Sequence, residues 1–233
     1  MNELMQFFPL EEKPLQETCF VDGGSALLFQ TTNESKGLVR IATLLFAGKK
    51  RVKQTIVESE VDLQGTNPEE VLGKLREEKE KTAGKDFERV VYDGLSNPPK
   101  GISLCKTTQQ HSNELSLLLA KKERFLCKDQ HTYFVKLHPA SSFIFKVIPA
   151  SNLGEQDMVS YLEELASVSG DPAFIGYPYP LIAVDQLARI SNVRRAQERL
   201  NVAAKKGAAW NALAKEDAHA HVHEILDSLE FEK

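Results

Sequence analysis

The chain has 233 residues, of which 42% are hydrophobic and 27% charged, a soluble-globular balance with enough length for a sizeable core. A net charge of −4 argues against a uniformly basic nucleic-acid binder. It leaves open a protein that gathers carboxylates at one site and is basic only along a binding path. The longest apolar stretches, such as 44–47 and 143–145, are too short to span a bilayer. The first residues lack the basic-then-apolar order of a secretion signal. Cys19, Cys105 and Cys127 show no CxxC spacing, so neither a disulfide framework nor a zinc site is indicated. The expected compartment is the reducing cytoplasm, with no membrane partner.

In chain order, residues 18–30 read as a strand interrupted by a glycine pair, which marks a bulge or a close backbone approach. A polar turn at 31–37 leads to a second β-rich run at 38–47. The basic turn Gly48-Lys49-Lys50-Arg51 then opens a third at about 52–62, making an antiparallel meander. Asn67-Pro68-Glu69-Glu70 is a helix start, with Asn as N-cap, Pro at the first helical position and Glu three residues after the cap. Val71, Leu72 and Leu75 supply its apolar stripe, and Gly84 ends the segment. Residues 87–92 form a short buried strand running into Asp93-Gly94. Beyond lie a helix at about 112–124, strands near 132–138 and 142–148, and an amphipathic helix at about 155–168. A long helix is expected from Leu181 to about Lys206. The chain is read as one domain over 1–233, with a core at about 18–206 and a peripheral helical tail at 207–233.

Two carboxylates stand out because each ends an apolar run. Asp22 follows Cys-Phe-Val and Asp93 follows Val-Val-Tyr, and a glycine comes after each. In a β-β-β-α-β order the first and fourth strands lie side by side, which brings the two acids together. Hard oxygen ligands at that spacing suit Mg²⁺ or Mn²⁺, and two such ions clamp the attacking and leaving oxygens of a phosphodiester. Asp-Gly is also the commonest turn dipeptide. A third carboxylate is expected from the helix, with Glu70 ranked first and Glu77 and Glu78 as rivals; Glu70 also fits a plain capping box.

Four segments carry a resemblance: Phe-Val-Asp-Gly-Gly-Ser (20–25), Val-Val-Tyr-Asp-Gly-Leu (90–95), Gly-Ile-Ser-Leu-Cys-Lys (101–106) and Gly-Tyr-Pro-Tyr-Pro-Leu-Ile-Ala-Val-Asp-Gln-Leu-Ala-Arg (176–189). In this order they resemble the motifs of NurA nucleases, over roughly residues 18–200. The resemblance implies a ribonuclease-H-like mixed α/β sheet flanked by helices, and cleavage of DNA that depends on Mn²⁺ or Mg²⁺. It also implies a homodimer and a partnership with a HerA-type hexameric ATPase in DNA end processing and double-strand break repair. It assigns Asp22 and Asp93 as metal ligands and Tyr177 as the motif tyrosine. Asp185 takes a place where archaeal members tend to carry histidine, and Lys106 is a phosphate or transition-state contact. The Asp-Gly-Gly-Ser motif departs from the family's usual Asp-Gly-Ser.

Basic residues suited to a phosphate-contacting surface are Lys49, Lys50 and Arg51 in the turn, and Arg189, Arg195 and Arg199 on the expected C-terminal helix. His219, His221 and His223 alternate in the tail, where only 219 and 223 would share a helix face, so they do not make a metal site. Two other functions fit parts of the pattern. One is a non-catalytic ribonuclease-H-like subunit that binds DNA or docks an ATPase. The other is an actin-like or sugar-kinase ATPase, although those folds place an extra residue between the aspartate and the glycine pair.

Overall fold

In this computed structural model, residues 6–30, 34–64, 67–106, 121–129 and 132–206 are described. Period-two burial in the first half of the chain produces three long strands: β2 (Thr18–Gln30), β3 (Ser35–Ala47) and β4 (Lys50–Leu63). A short β1 (Gln6–Pro9) precedes them. The meander is antiparallel, with Asp22 opposite Ala42 on β3. No bulge falls at the glycine pair; the register slips further on, between Leu27 and Phe29.

Helix α1 (Pro68–Gly84) follows, capped as its sequence predicts. Asn67 Oδ1 accepts from the Glu70 amide, and Asn67 Nδ2 donates to the Glu70 carboxylate. The chain then returns through β5 (Val90–Asp93), parallel to β2, and β6 (Ile102–Lys106), parallel to β5. This is the expected β-β-β-α-β core. β7 (Phe125–Asp129), β8 (Thr132–Lys136) and β9 (Phe145–Pro149) extend the sheet, giving the order β1-β7-β8-β9-β6-β5-β2-β3-β4.

Two apolar layers sandwich the sheet. On one face α1 lays Leu72 against Cys19, Val21, Val90 and Tyr92. On the other, α2 (Glu155–Ala166) and α3 (Tyr179–Ala188) cover Phe20, Val91, Ile102 and Leu104 with Met158, Leu162, Leu181 and Val184. The long helix expected at 181–206 is two helices, α3 and α4 (Asn192–Lys206). The chain turns extended at Arg189 (ψ 131°), and Ser191 accepts from the Arg194 amide through its hydroxyl, an N-cap hidden inside a helical pattern.

β1, β6 and β7 lie outside the sequence expectation. The helix placed at 112–124 falls mostly on 107–120, outside the described residues, and residues 121–124 lead into β7 without a helix. The tail at 207–233, with His219, His221 and His223, also lies outside them. No helix among the described residues is long and apolar enough to cross a membrane.

Candidate active site

The β2–β5 register sets the first two acids beside each other. Cys19, Phe20 and Val21 pair with Val90, Val91 and Tyr92, so continuing the ladder by one residue places Asp22 alongside Asp93. Side chains alternate along a strand. Cys19 and Val21 belong to the α1 face and Phe20 to the α2–α3 face, so Asp22 falls on the latter. Asp93 shares that face through Val91, and the Tyr177 hydroxyl donates to Asp93 Oδ2 at 3.1 Å.

The two glycines after Asp22 each face one helix. A side chain at Gly23 would collide with Glu80 Oε1, Arg76 Cγ and Ile41 Cδ1. One at Gly24 would strike the carbonyl of Ala188, in the last turn of α3. The Gly-Gly pair therefore admits a carboxylate from α1 on one side and the end of α3 on the other. This is the close approach anticipated from the sequence.

The glutamate that α1 buries against β2 is Glu80, not Glu70. Glu80 is 2% exposed, and its Oε1 has no hydrogen-bond partner although Arg76 Nε lies 3.2 Å away. Glu70 is exposed, bonded to Asn67 and paired with Lys74 at 2.6 Å. It sits ten residues before Glu80, about 15 Å along the helix. Glu77 accepts from Ser96 and Glu78 is exposed. The signal was present at four-residue spacing: Pro68, Leu72, Glu80 and Gly84 are the buried positions of α1, on one stripe with Arg76. Apolar residues mark only the start of that stripe, so its charged continuation at Arg76 and Glu80 looks like solvated helix surface.

Asp185 joins from α3. Burial, followed by the charge of Asp93, pushes the Asp22 carboxyl up to about 7, and Asp185 adds to it. Burial raises Glu80 to about 8 against the pull of Arg76, with Asp22, Glu77 and Asp93 raising it further. Burial also raises Asp93, opposed by Lys106 and the Tyr177 hydrogen bond, while Asp185 adds its charge. Asp22, Glu80, Asp93 and Asp185 thus share one electrostatic neighbourhood. Among the described residues, no three His, Cys, Asp or Glu side chains are gathered tightly enough to form a ready metal cage. The donor set nonetheless fits a hard divalent cation: oxygen ligands only, mutually repelling, one with a buried oxygen that accepts no hydrogen bond.

Cations surround the cluster. Lys106 Nζ lies 5.0 Å from the centre of the Tyr177 ring. Arg189 pairs with Asp185 at 2.6 Å. A cleft of about 640 Å³ is lined by Gly24, Ser25, Arg76, Gln186, Arg189 and Asn192. Other basic candidates are placed elsewhere. Arg195 Nε donates to the Leu27 carbonyl at 3.0 Å and Arg199 Nε to that of Leu28, so both brace β2 beside its register slip. The Nε donors of these two expected phosphate contacts are therefore engaged within the fold. Lys49, Lys50 and Arg51 are exposed at the β3–β4 turn, past Ala47, which is itself five residues beyond Ala42 and so roughly 17 Å from Asp22 along the sheet.

No known family description matches the sequence, and no curated protein matches it either. Solved structures do match. The crystal structure of the NurA nuclease from Sulfolobus solfataricus aligns with a TM-score of 0.63 at 13% identity, covering 87% of this chain and 86% of that one. Endonuclease V from Streptomyces avermitilis aligns with a TM-score of 0.48 at 11% identity, covering 83% and 86%. The Bacillus subtilis endonuclease V gives 0.47 at 14%, covering 82% and 88%. Those two likenesses are too distant to carry an argument. The first establishes architecture: the chain has the ribonuclease-H-like α/β fold of the Sulfolobus NurA nuclease, along most of the length of both chains.

Proposed function

We propose that this chain is a metal-dependent nuclease that hydrolyses DNA phosphodiesters at the Asp22–Glu80–Asp93 cluster. The observation that carries the reading is the pair of buried acids on adjacent parallel strands, coupled electrostatically to the buried Glu80 that packs against Gly23 from α1, beside a cleft with two arginines. Asp22, Glu80 and Asp93 would hold Mn²⁺ or Mg²⁺, with Asp185 as a further ligand when Arg189 turns to phosphate. The bound cation supplies an activated water and neutralises charge on the phosphate oxygens.

The chain's own groups do the rest. Tyr177 fixes the Asp93 carboxylate by a hydrogen bond from an anchored turn, since the Tyr177 amide donates to Phe174 and the Tyr179 amide to Val168. Lys106 sets a positive charge beside Asp93, where it can meet a phosphate oxygen as charge builds. Arg76 and Arg189 place fixed positive charge in the adjoining cleft, along which a strand's backbone can run. Lys49, Lys50 and Arg51 extend this surface at a distance.

The motif resemblance, with the shared architecture of a NurA nuclease beside it, is the ground for the finer picture of a single-domain cytoplasmic enzyme. In that picture it is a homodimer that works with a HerA-type ATPase in DNA end processing and double-strand break repair. The test is incubation of labelled linear duplex and single strands with Mn²⁺, Mg²⁺ or EDTA, with and without the ATPase. Cleavage with either ion and none in EDTA is expected. No cleavage under any condition would leave a DNA-binding or ATPase-docking scaffold.

A further inference from the structure

Beside the carboxylate cluster stands an aromatic ring that the hydrolysis does not use. Phe143 is 42% exposed in the connection between β8 and β9. Its ring meets Tyr177 edge-on at 6.1 Å and 84°, and lies over Phe145 at 6.5 Å and 27°. Tyr177 in turn holds Asp93, so carboxylate, tyrosine and phenylalanine form a series running outward from the site. Lys106 sits by the same tyrosine ring.

The segment holding Phe143 is braced. Ser141 Oγ accepts from the Phe143 amide at 2.8 Å and donates to the Phe143 carbonyl at 3.0 Å. The Ser141 amide donates to His138 at 3.0 Å. The Ser141 side chain fills the space left by Gly176, whose φ of +89° only glycine adopts readily. The turn that delivers Tyr177 therefore also clamps the Phe143 segment. A large, partly exposed apolar ring is thus held by a braced segment against the tyrosine that bonds Asp93 and meets Lys106. An aromatic face beside positive charge is the pairing with which proteins hold unstacked bases.

We propose that Phe143 is a stacking platform for an unpaired nucleobase of the strand bound at the carboxylate cluster, a role that rests on the nuclease reading. Bases inside a duplex are already stacked, so the ligand is a single strand or a frayed end. The platform sets strand preference and holds the base flanking the scissile phosphate.

The experiment is equilibrium binding of fluorescent oligonucleotides in Ca²⁺, comparing wild type with Phe143→Ala, Phe143→Leu and Phe143→Trp. Single strands, abasic single strands and blunt duplexes are compared, and thermal melting checks that each variant is folded. The Ala and Leu variants are expected to bind single strands roughly tenfold more weakly, with Trp restoring affinity. An abasic site at the stacked position abolishes the difference, and duplex affinity does not change. Unaltered single-strand binding by Phe143→Ala overturns the proposal. Wild-type binding by Phe143→Leu does so too, because bulk without a π face then suffices. Binding is read without cleavage, so a chain that stacks the base but never cuts DNA sinks the nuclease reading alone.

Discussion

Glu80 on α1 occupies the space that a side chain at Gly23 on β2 would fill. The two positions are 57 residues apart in sequence, yet each fixes the identity of the other. Gly23→Ala is expected to cost about 1–3 kcal/mol through overpacking and to displace Glu80, removing cleavage. Adding Glu80→Ala should recover much of the stability and none of the activity. Urea unfolding and a cleavage assay check both. Equal stability of Gly23→Ala and wild type would mean that the close approach is not real.

The buried acids give a pH signature. Asp22 and Glu80 titrate higher in the fold than in the unfolded chain, so the fold prefers them protonated. The stability they confer is full below about pH 4, the ordinary carboxyl range. It is lost as pH rises through about 7 for Asp22 and about 8 for Glu80. In EDTA, these groups should make the protein less stable at pH 8 than at pH 5. Glu80→Gln should raise the pH 8 melting temperature by roughly 5 °C, the equivalent of about 1–2 kcal/mol in a chain this size. Manganese should remove the pH 8 deficit in wild type. A Glu80→Gln melting profile that matches wild type at both pH values contradicts this.

Tyr177→Phe deletes one hydroxyl without changing the packing. Because that hydrogen bond opposes the rise of the Asp93 carboxyl, its loss lets Asp93 titrate higher. The acid limb of the pH–rate profile should move to higher pH, and cleavage at neutral pH should fall about tenfold, the worth of one hydrogen bond to a charged group. A lower rate with an unmoved limb would point to a packing role instead.

Two arginines separate binding from architecture. Arg189→Ala should weaken DNA affinity and reduce the salt slope by about one. Arg195→Ala should leave the slope unchanged and lower stability by about 1 kcal/mol, because it strands the Leu27 carbonyl. If Arg195→Ala reduces the slope as Arg189→Ala does, its guanidinium reaches the nucleic acid as well.

The core was legible where local chemistry and tertiary structure agree. β2, β3 and α1 announce themselves by alternation, a basic turn and a capped helix, and Asp22 and Asp93 stand out as acids that end buried strands. Glu80 was not legible, because a carboxylate on a charged helix looks like its solvated neighbours until the i, i+4 stripe is traced back to Leu72. The break at 189–191 was hidden because Arg-Ile-Ser can continue a helix, and only the Arg194 amide shows Ser191 acting as a cap. The short strand β1 owes its structure to β7, through pairings such as Phe7 with Cys127, which no local window contains.

The central claim is that Asp22, Glu80 and Asp93 hold divalent cations. Calorimetric titration of Mn²⁺ into wild type, Glu80→Gln and Glu70→Gln tests it most directly. Wild type and Glu70→Gln should bind alike at neutral pH, and Glu80→Gln should bind at least about tenfold more weakly, the effect of one lost ligand or supporting group. No binding to wild type, or equal binding to Glu80→Gln, would contradict the account.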